Sequence, residues 1–164
     1  MHPALHYLVG AGSGHGGAFI PPAAGPGADG SGAATGARLQ ILLVEDEAIS
    51  ALALRRLVAR LGHEVCAMTA MAEDAIKLAG EILPDIILMD IRLAGEMDGI
   101  TAACEIRDRF GIGSIFMTAN SDPATRALAE NARPLGFMAK PYSPMMVKTT
   151  LRHAAEQLGP QTRN

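Results

Sequence analysis

The chain has no tryptophan, four phenylalanines and two tyrosines in 164 residues, so any core it builds rests on aliphatic side chains and methionine. Cysteine is as scarce. Cys66 and Cys104 stand far apart, with no CxxC pair and no histidine at ligand spacing, which removes a disulfide framework or a zinc site as the organising element. Both read as buried structural thiols. No apolar run approaches the ~18 to 20 residues of a membrane-spanning helix, and the opening Met1-His-Pro-Ala-Leu-His6 lacks the Lys or Arg of a signal-peptide leader. A cytoplasmic protein with no membrane partner is expected. Basic charge is not in excess either: 14 Lys and Arg against 17 Asp and Glu give a formal net charge of -3. That balance gives no electrostatic reason to expect nucleic acid as a partner.

What is present is enough apolar sequence for one packed domain. Hydrophobic residues at 49% against charged residues at 19% support a core, and the length leaves room for one domain of ordinary size plus flanking sequence. Residues 1–37 are dominated by Gly, Ala and Pro, as in Gly10-Ala-Gly-Ser-Gly-His-Gly-Gly17. Such a polymer cannot offset its ordering entropy by burial, so a disordered tail is expected. The scattered His2, His6 and His15 belong to it rather than to a metal site. The domain is expected over 38–158, with 159–164 as a short C-terminal tail.

From Leu39 onward, short apolar runs alternate with helical periods, the pattern of a parallel sheet joined by crossover helices. Five strands are expected at Leu39–Val44, Glu64–Thr69, Asp85–Met89, Ser114–Thr118 and Gly136–Ala139, several continuous enough to be buried on both faces. Between them Leu54, Leu57, Val58 and Leu61 repeat at i, i+3, i+4, i+7, as do Ala75, Leu78, Ala79 and Ile82. The first helix ends at Gly62 and the second before Pro84. A third opens at Asp98 and turns Ala102, Ala103 and Ile106 inward, with Glu105 and Arg109 paired outside. Asp122-Pro123 and Ser143-Pro144 open a short fourth and a longer fifth. The fold class is α/β, a doubly wound five-stranded parallel sheet, (βα)5.

In an open parallel sheet, ligands bind beyond the carboxyl ends of the strands. Strand one runs into Glu45-Asp46-Glu47, strand three into Asp90, strand four into Thr118 and strand five into Lys140. Three carboxylates within ~5 Å would repel by about 3 kcal/mol per pair at an effective dielectric of about 20, so one must protonate or a cation must bind. All-oxygen ligation favours a hard divalent ion, and Mg²⁺ is the one that bridges carboxylate and phosphate. Asp90 can then accept a phosphoryl group covalently, as carboxylates do in aspartyl-phosphate chemistry, with the metal and Lys140 neutralising charge and Thr118 donating a hydrogen bond. Read alone, Glu45-Asp46 would be a turn and helix cap; the company of Asp90, Thr118 and Lys140 argues for the site instead.

Glu45-Asp46, Asp90, Thr118-Ala119 and Lys140-Pro141, each after an apolar strand, together resemble the response-regulator receiver pattern of two-component signalling in order and spacing, over about Leu39 to Leu158. The resemblance implies a flavodoxin-like receiver with strand order 2-1-3-4-5. It implies that Asp46 binds Mg²⁺ directly, Glu45 largely through water, Asp90 both metal and phosphoryl group, and the Arg92 backbone carbonyl supplies a further ligand. It also implies a cis Lys140-Pro141 peptide and a switch in which Thr118 moves toward the phosphoryl group while Phe137 swings inward. Phe137 lacks the hydroxyl of a tyrosine there, and plain packing is its bland alternative.

The implied function is a phosphoacceptor rather than an enzyme, charged by a histidine kinase or histidine phosphotransfer protein. It would signal through helix four, strand five and helix five to a downstream protein or a second copy. With no output domain evident, a stand-alone receiver is expected. Arg92 and Asn120 flank the phosphoryl position, as kinetic modifiers or plain loop residues. Glu47, Asp85, Asp98, His63 and His153 read as structural, and Met145 and Met146 as gap fillers or an adaptable docking surface. The chain departs from the common Met-Pro-Gly-Met-Asp-Gly loop, carrying Ile91-Arg-Leu-Ala-Gly-Glu-Met-Asp-Gly99 without proline. A haloacid-dehalogenase-like phosphatase would need an acid two residues after the first-strand nucleophile, and Asp46-Glu-Ala48 lacks it. A third alternative is a receiver fold that binds its partner constitutively, without phosphorylation.

Overall fold

The computed structural model describes residues 38–119 and 122–159. The expectations for the 1–37 tail, for His2, His6 and His15, for Asn120 and for residues 160–164 lie outside them. The strands are β1 (Gln40–Val44), β2 (Glu64–Thr69), β3 (Ile86–Asp90), β4 (Gly113–Thr118) and β5 (Gly136–Ala139). They are followed in turn by α1 (Ala48–Arg60), α2 (Ala72–Ile82), α3 (Gly99–Phe110), α4 (Pro123–Ala129) and α5 (Pro144–Leu158). A 3-10 turn, Glu130–Ala132, extends α4. All strand pairs are parallel, in the order β2-β1-β3-β4-β5. This is the doubly wound topology expected from the sequence.

The apolar runs explain the strand positions. Every residue of β3 and β4 is buried, as are the last four of β1, while β2 at the edge alternates between buried and half-buried. Leu42, Val44, Ile87, Met89 and Phe116 face α2, α3 and the α4 region on one side; Ile41, Leu43, Ile86, Leu88, Ile115 and Met117 face α1 and α5 on the other. Two packed layers therefore hold the sheet rigidly between them.

Helix ends follow their local chemistry. Asp98, Asp122 and Ser143 accept from the N–H groups of Thr101, Thr125 and Met146 at 2.7, 2.8 and 3.1 Å, satisfying donors that each helix start would otherwise leave open. Gly62 takes φ +88 just after α1. Strand ends differ by one residue from the sequence reading: β1 starts at Gln40 rather than Leu39, β3 runs from Ile86 to Asp90 rather than from Asp85 to Met89, and β4 starts at Gly113 rather than Ser114. Asp85 sits just before β3, where its carboxylate accepts the Gln40 N–H at 2.6 Å and its own N–H donates to the Gln40 carbonyl at 2.8 Å, tying it to the start of β1. Cys66 and Cys104 are half-buried rather than fully buried; burial pushes the Cys66 thiol up to about 11, so it remains protonated and unreactive.

His63, at the mouth of β2, accepts the Leu39 N–H on Nδ1 at 3.2 Å, and burial lowers its pKa below the ordinary 6.5. The folded state therefore binds fewer protons here than the unfolded chain, and the stability this group contributes is present above about pH 6.5 and lost as pH falls below it. Thermal melts at about pH 7.5 and about pH 5.5 should show a larger loss for the wild type than for His63→Gln, whose amide oxygen can accept the same bond without titrating.

Candidate functional site

The parallel order sets the carboxyl ends of β1, β3, β4 and β5 side by side, with the direction of winding reversing between β1 and β3. A crevice at that point is where such folds place ligands. Glu45 follows β1 and is buried, Asp46 beside it is exposed, and Asp90 closes β3 at 5% exposure. One carboxylate oxygen from each of the three lies within 4.8 Å of the others. Lys140, directly after β5, donates from Nζ to Glu45 Oε2 at 2.6 Å and to Asp90 Oδ2 at 2.5 Å. Such short charge-assisted bonds in a largely buried setting are strong ones.

The electrostatics follow from this packing. Burial disfavours the Lys140 ammonium, but its bonds to Asp90 and Glu45 outweigh that and raise its pKa above the ordinary lysine value. Burial also raises the Glu45 carboxyl, against the stabilising Lys140 bond. Three carboxylates against one ammonium leave an excess of negative charge when all are ionised. The donor set consists only of oxygens, one carboxylate open to solvent and two partly enclosed, which fits a hard divalent cation that keeps some of its water. Asp46, Glu45 and Asp90 are the residues able to hold it.

The loop after β3 is folded back over Asp90. Asp90 Oδ1 accepts the Arg92 N–H at 2.9 Å, Asp46 Oδ2 accepts the Ala94 N–H at 3.1 Å, and the Gly99 N–H donates to the Ile91 carbonyl at 3.1 Å. These bonds give the proline-free loop a defined path. Gly99 is more than the first residue of α3, because a Cβ there would stand 1.9 Å from the Asp90 carbonyl oxygen. Only glycine permits that approach. No local signal in the sequence marks this need for glycine, which arises from the close approach of the β3 end to α3.

Thr118 closes β4 at 8% exposure. Together with Phe137 on β5 and Ile91 it lines a cavity of about 230 Å³. Phe137 is half-buried against Phe116, with ring centroids 5.8 Å apart, and the Arg126 guanidinium lies over its ring at 4.5 Å. The Lys140-Pro141 peptide is cis. Glu47 lies at the start of α1 and binds Ser50 Oγ at 2.8 Å, Asp85 lies at the opposite end of the sheet, and His153 is exposed on α5. Sequence reasoning missed Arg126 and Tyr142, whose hydroxyl is buried with its pKa pushed up to about 12 by burial. Arg126 meets the Phe137 ring and Tyr142 packs against the α1/α5 side of the core, contacts between distant elements for which periodicity gives no signal.

The fold and this crevice define a doubly wound α/β domain with an acidic, lysine-clamped pocket at its switch point. Residues 41–152 match the family model of the response regulator receiver domain. The chain is 34% identical over 116 residues to the phyllosphere-induced regulator PhyR of Methylorubrum extorquens, covering 70% of this chain and 43% of that one. It is 29% identical over 118 residues to the chemotaxis protein CheY of Thermotoga maritima, covering 71% of this chain and 98% of that one. The signal receiver domain of a modulated diguanylate cyclase from Desulfovibrio desulfuricans superposes with a TM-score of 0.70 at 30% identity, over 74% of this chain and 97% of that one. The chain belongs to the response regulator receiver domain family. It spans about half the length of the first curated relatives it matches, 43% of PhyR and 50% of the transcriptional regulatory protein PdtaR of Mycobacterium tuberculosis. Receivers in general are signalling modules rather than enzymes, bind Mg²⁺ at an acidic pocket, and interact with kinases and downstream partners.

Because the Lys140 ammonium shares Asp90 and Glu45 with any cation in the pocket, it competes electrostatically with that cation. Titration calorimetry with Mg²⁺ should find severalfold tighter binding to Lys140→Met than to the wild type, and weaker binding to Asp46→Asn.

Proposed function

We propose that the chain is a phosphoacceptor response regulator of a cytoplasmic phosphorelay, in which residues 38–158 accept a phosphoryl group on Asp90 in the presence of Mg²⁺. The observation that carries this reading is the convergence of Lys140 on both Asp90 and Glu45, within 4.8 Å of a third acid, at the carboxyl edge of a parallel sheet. A purely structural pairing would need one acid for one lysine. An arrangement with surplus carboxylates is suited to a cation and to a phosphoryl group.

In the proposed reaction a carboxylate oxygen of Asp90 attacks phosphorus, the bond from phosphorus to the donor breaks, and the donor leaves with that electron pair. From a phosphohistidine the leaving group is the imidazole, which takes up a proton; from acetyl phosphate it is acetate. Asp46 and Asp90 would hold Mg²⁺ directly, with Glu45 acting through water and the Arg92 carbonyl as a further ligand, and the ion would supply charge neutralisation on the phosphoryl oxygens. Lys140 keeps its charge next to Asp90 and neutralises the same oxygens from the other side. The Thr118 hydroxyl donates to the product, and its movement leaves space for Phe137 to turn inward. The changed surface of α4, β5 and α5 then engages a downstream protein or a second copy. The donor is a histidine kinase or a histidine phosphotransfer protein.

Incubation with Mg²⁺ and acetyl phosphate followed by intact-protein mass measurement tests this reading. The wild type should gain one phosphoryl group, Asp90→Asn none, and EDTA should abolish the gain. An unmodified wild type, or an equal gain on Asp90→Asn, contradicts it. Lys140→Met should gain the group more slowly by about 10²-fold, the usual loss when one preorganised charge-stabilising donor is removed.

A further inference from the structure

We propose that Arg126 is a positioning residue of the phosphoacceptor response: its guanidinium holds the Phe137 ring at the cavity beside Thr118 and so slows phosphoryl uptake by the resting protein. The inference rests on the reading of Asp90 as phosphoacceptor and adds to it a residue that no sequence motif marks.

The geometry starts from α4. This helix has seven residues, of which Ala129 alone is buried. Its other attachments to the sheet therefore matter more than they would for a long amphipathic helix. The Arg126 guanidinium lies 4.5 Å above the centroid of the Phe137 ring, within the range of a cation–π interaction. Among the described residues no carboxylate pairs with Arg126, so the ring face is the group its charge meets.

The ring has somewhere else to go. Next to it the cavity of about 230 Å³ opens between Ile91, Thr118, Ala139 and Met146, and Arg126 and Thr125 of α4 form its rim. A cavity of roughly 150 Å³ already holds a benzene ring. β4 and β5 pair with Thr118 opposite Ala139 and Phe116 opposite Phe137, so the ring stands within one residue pair of the hydroxyl that would move. When Thr118 turns toward a phosphoryl group on Asp90, the proposed inward turn of Phe137 would carry its ring face off the guanidinium that now lies over it. In this proposal the Arg126–Phe137 contact seen here belongs to the resting arrangement and is given up in the responding one. Only such a difference between two states can shift their populations.

The test compares wild type, Arg126→Gln, Arg126→Lys, Phe137→Leu and the Arg126→Gln/Phe137→Leu pair. Two readouts are needed: ring carbon–proton NMR signals of Phe137 without phosphodonor, and the rate of adduct formation with Mg²⁺ and acetyl phosphate. In Arg126→Gln the Phe137 ring signals should shift, and the adduct should form about two- to fivefold faster, the span set by an exposed cation–π contact. Arg126→Lys, which keeps the charge, should fall between Arg126→Gln and wild type. In the Phe137→Leu background Arg126→Gln should change nothing further. Unshifted ring signals overturn the latch whatever the adduct does. So does an unchanged or slower rate in Arg126→Gln, or the same acceleration with and without Phe137. If the ring signals shift but no variant, wild type included, forms an adduct, the phosphoacceptor reading fails and with it the claimed effect on rate.

Discussion

Carboxylates forced into a small, partly dry space repel, and the architecture of this chain is arranged around that constraint. Glu45 and Asp90 are both nearly inaccessible, and Asp46 stands beside them. In a low-dielectric crevice such a group is tolerated only with compensating charge. Lys140 supplies part of it, bonded to both buried acids at once. The part it leaves uncompensated makes the pocket one that still favours positive charge, as a divalent cation would supply.

The sheet is what makes the crowding affordable. Glu45, Asp90 and Lys140 stand at the carboxyl ends of β1, β3 and β5, strands remote in sequence but held in one sheet, with β4 between β3 and β5, and each strand is fixed by apolar residues buried in the core. The register brings Val44 beside Met89 and Asp90 beside Met117, so the following residues meet without adjustment. The loop after Asp90 closes over it through Gly99, whose missing side chain lets the backbone pass. A preorganised arrangement of this kind keeps charged groups in place before any ligand arrives.

Strand runs, helix caps and strand-end acids were legible in the sequence because each is a local signal with a physical cause. Asp98, Asp122 and Ser143 cap where their side-chain chemistry says they should. Asp90, Glu45, Asp46 and Lys140 could be grouped from topology alone once the strands were placed. What the sequence did not carry is what depends on close approach between elements. Examples are the Asp46 bond to the Ala94 N–H, the need for glycine at 99, the Asp85 bond to the Gln40 N–H, and Arg126 over Phe137. Phe137 was placed by its distance from Lys140, but its resting partner belongs to α4, where a seven-residue helix has too little periodicity to say which side chain faces the sheet.

Three carboxylates place oxygens within 4.8 Å of one another and one of them is proposed to carry the chemistry, so the decisive measurement is one that reads the modified residue itself. Borohydride reduces an acyl phosphate to an alcohol, which would turn a phosphorylated aspartate into homoserine. Tandem mass spectrometry of the reduced, acetyl-phosphate-treated protein should find homoserine at position 90, with Glu45 and Asp46 unmodified. A reduction product at Glu45 or Asp46, or none at position 90, would contradict the central claim.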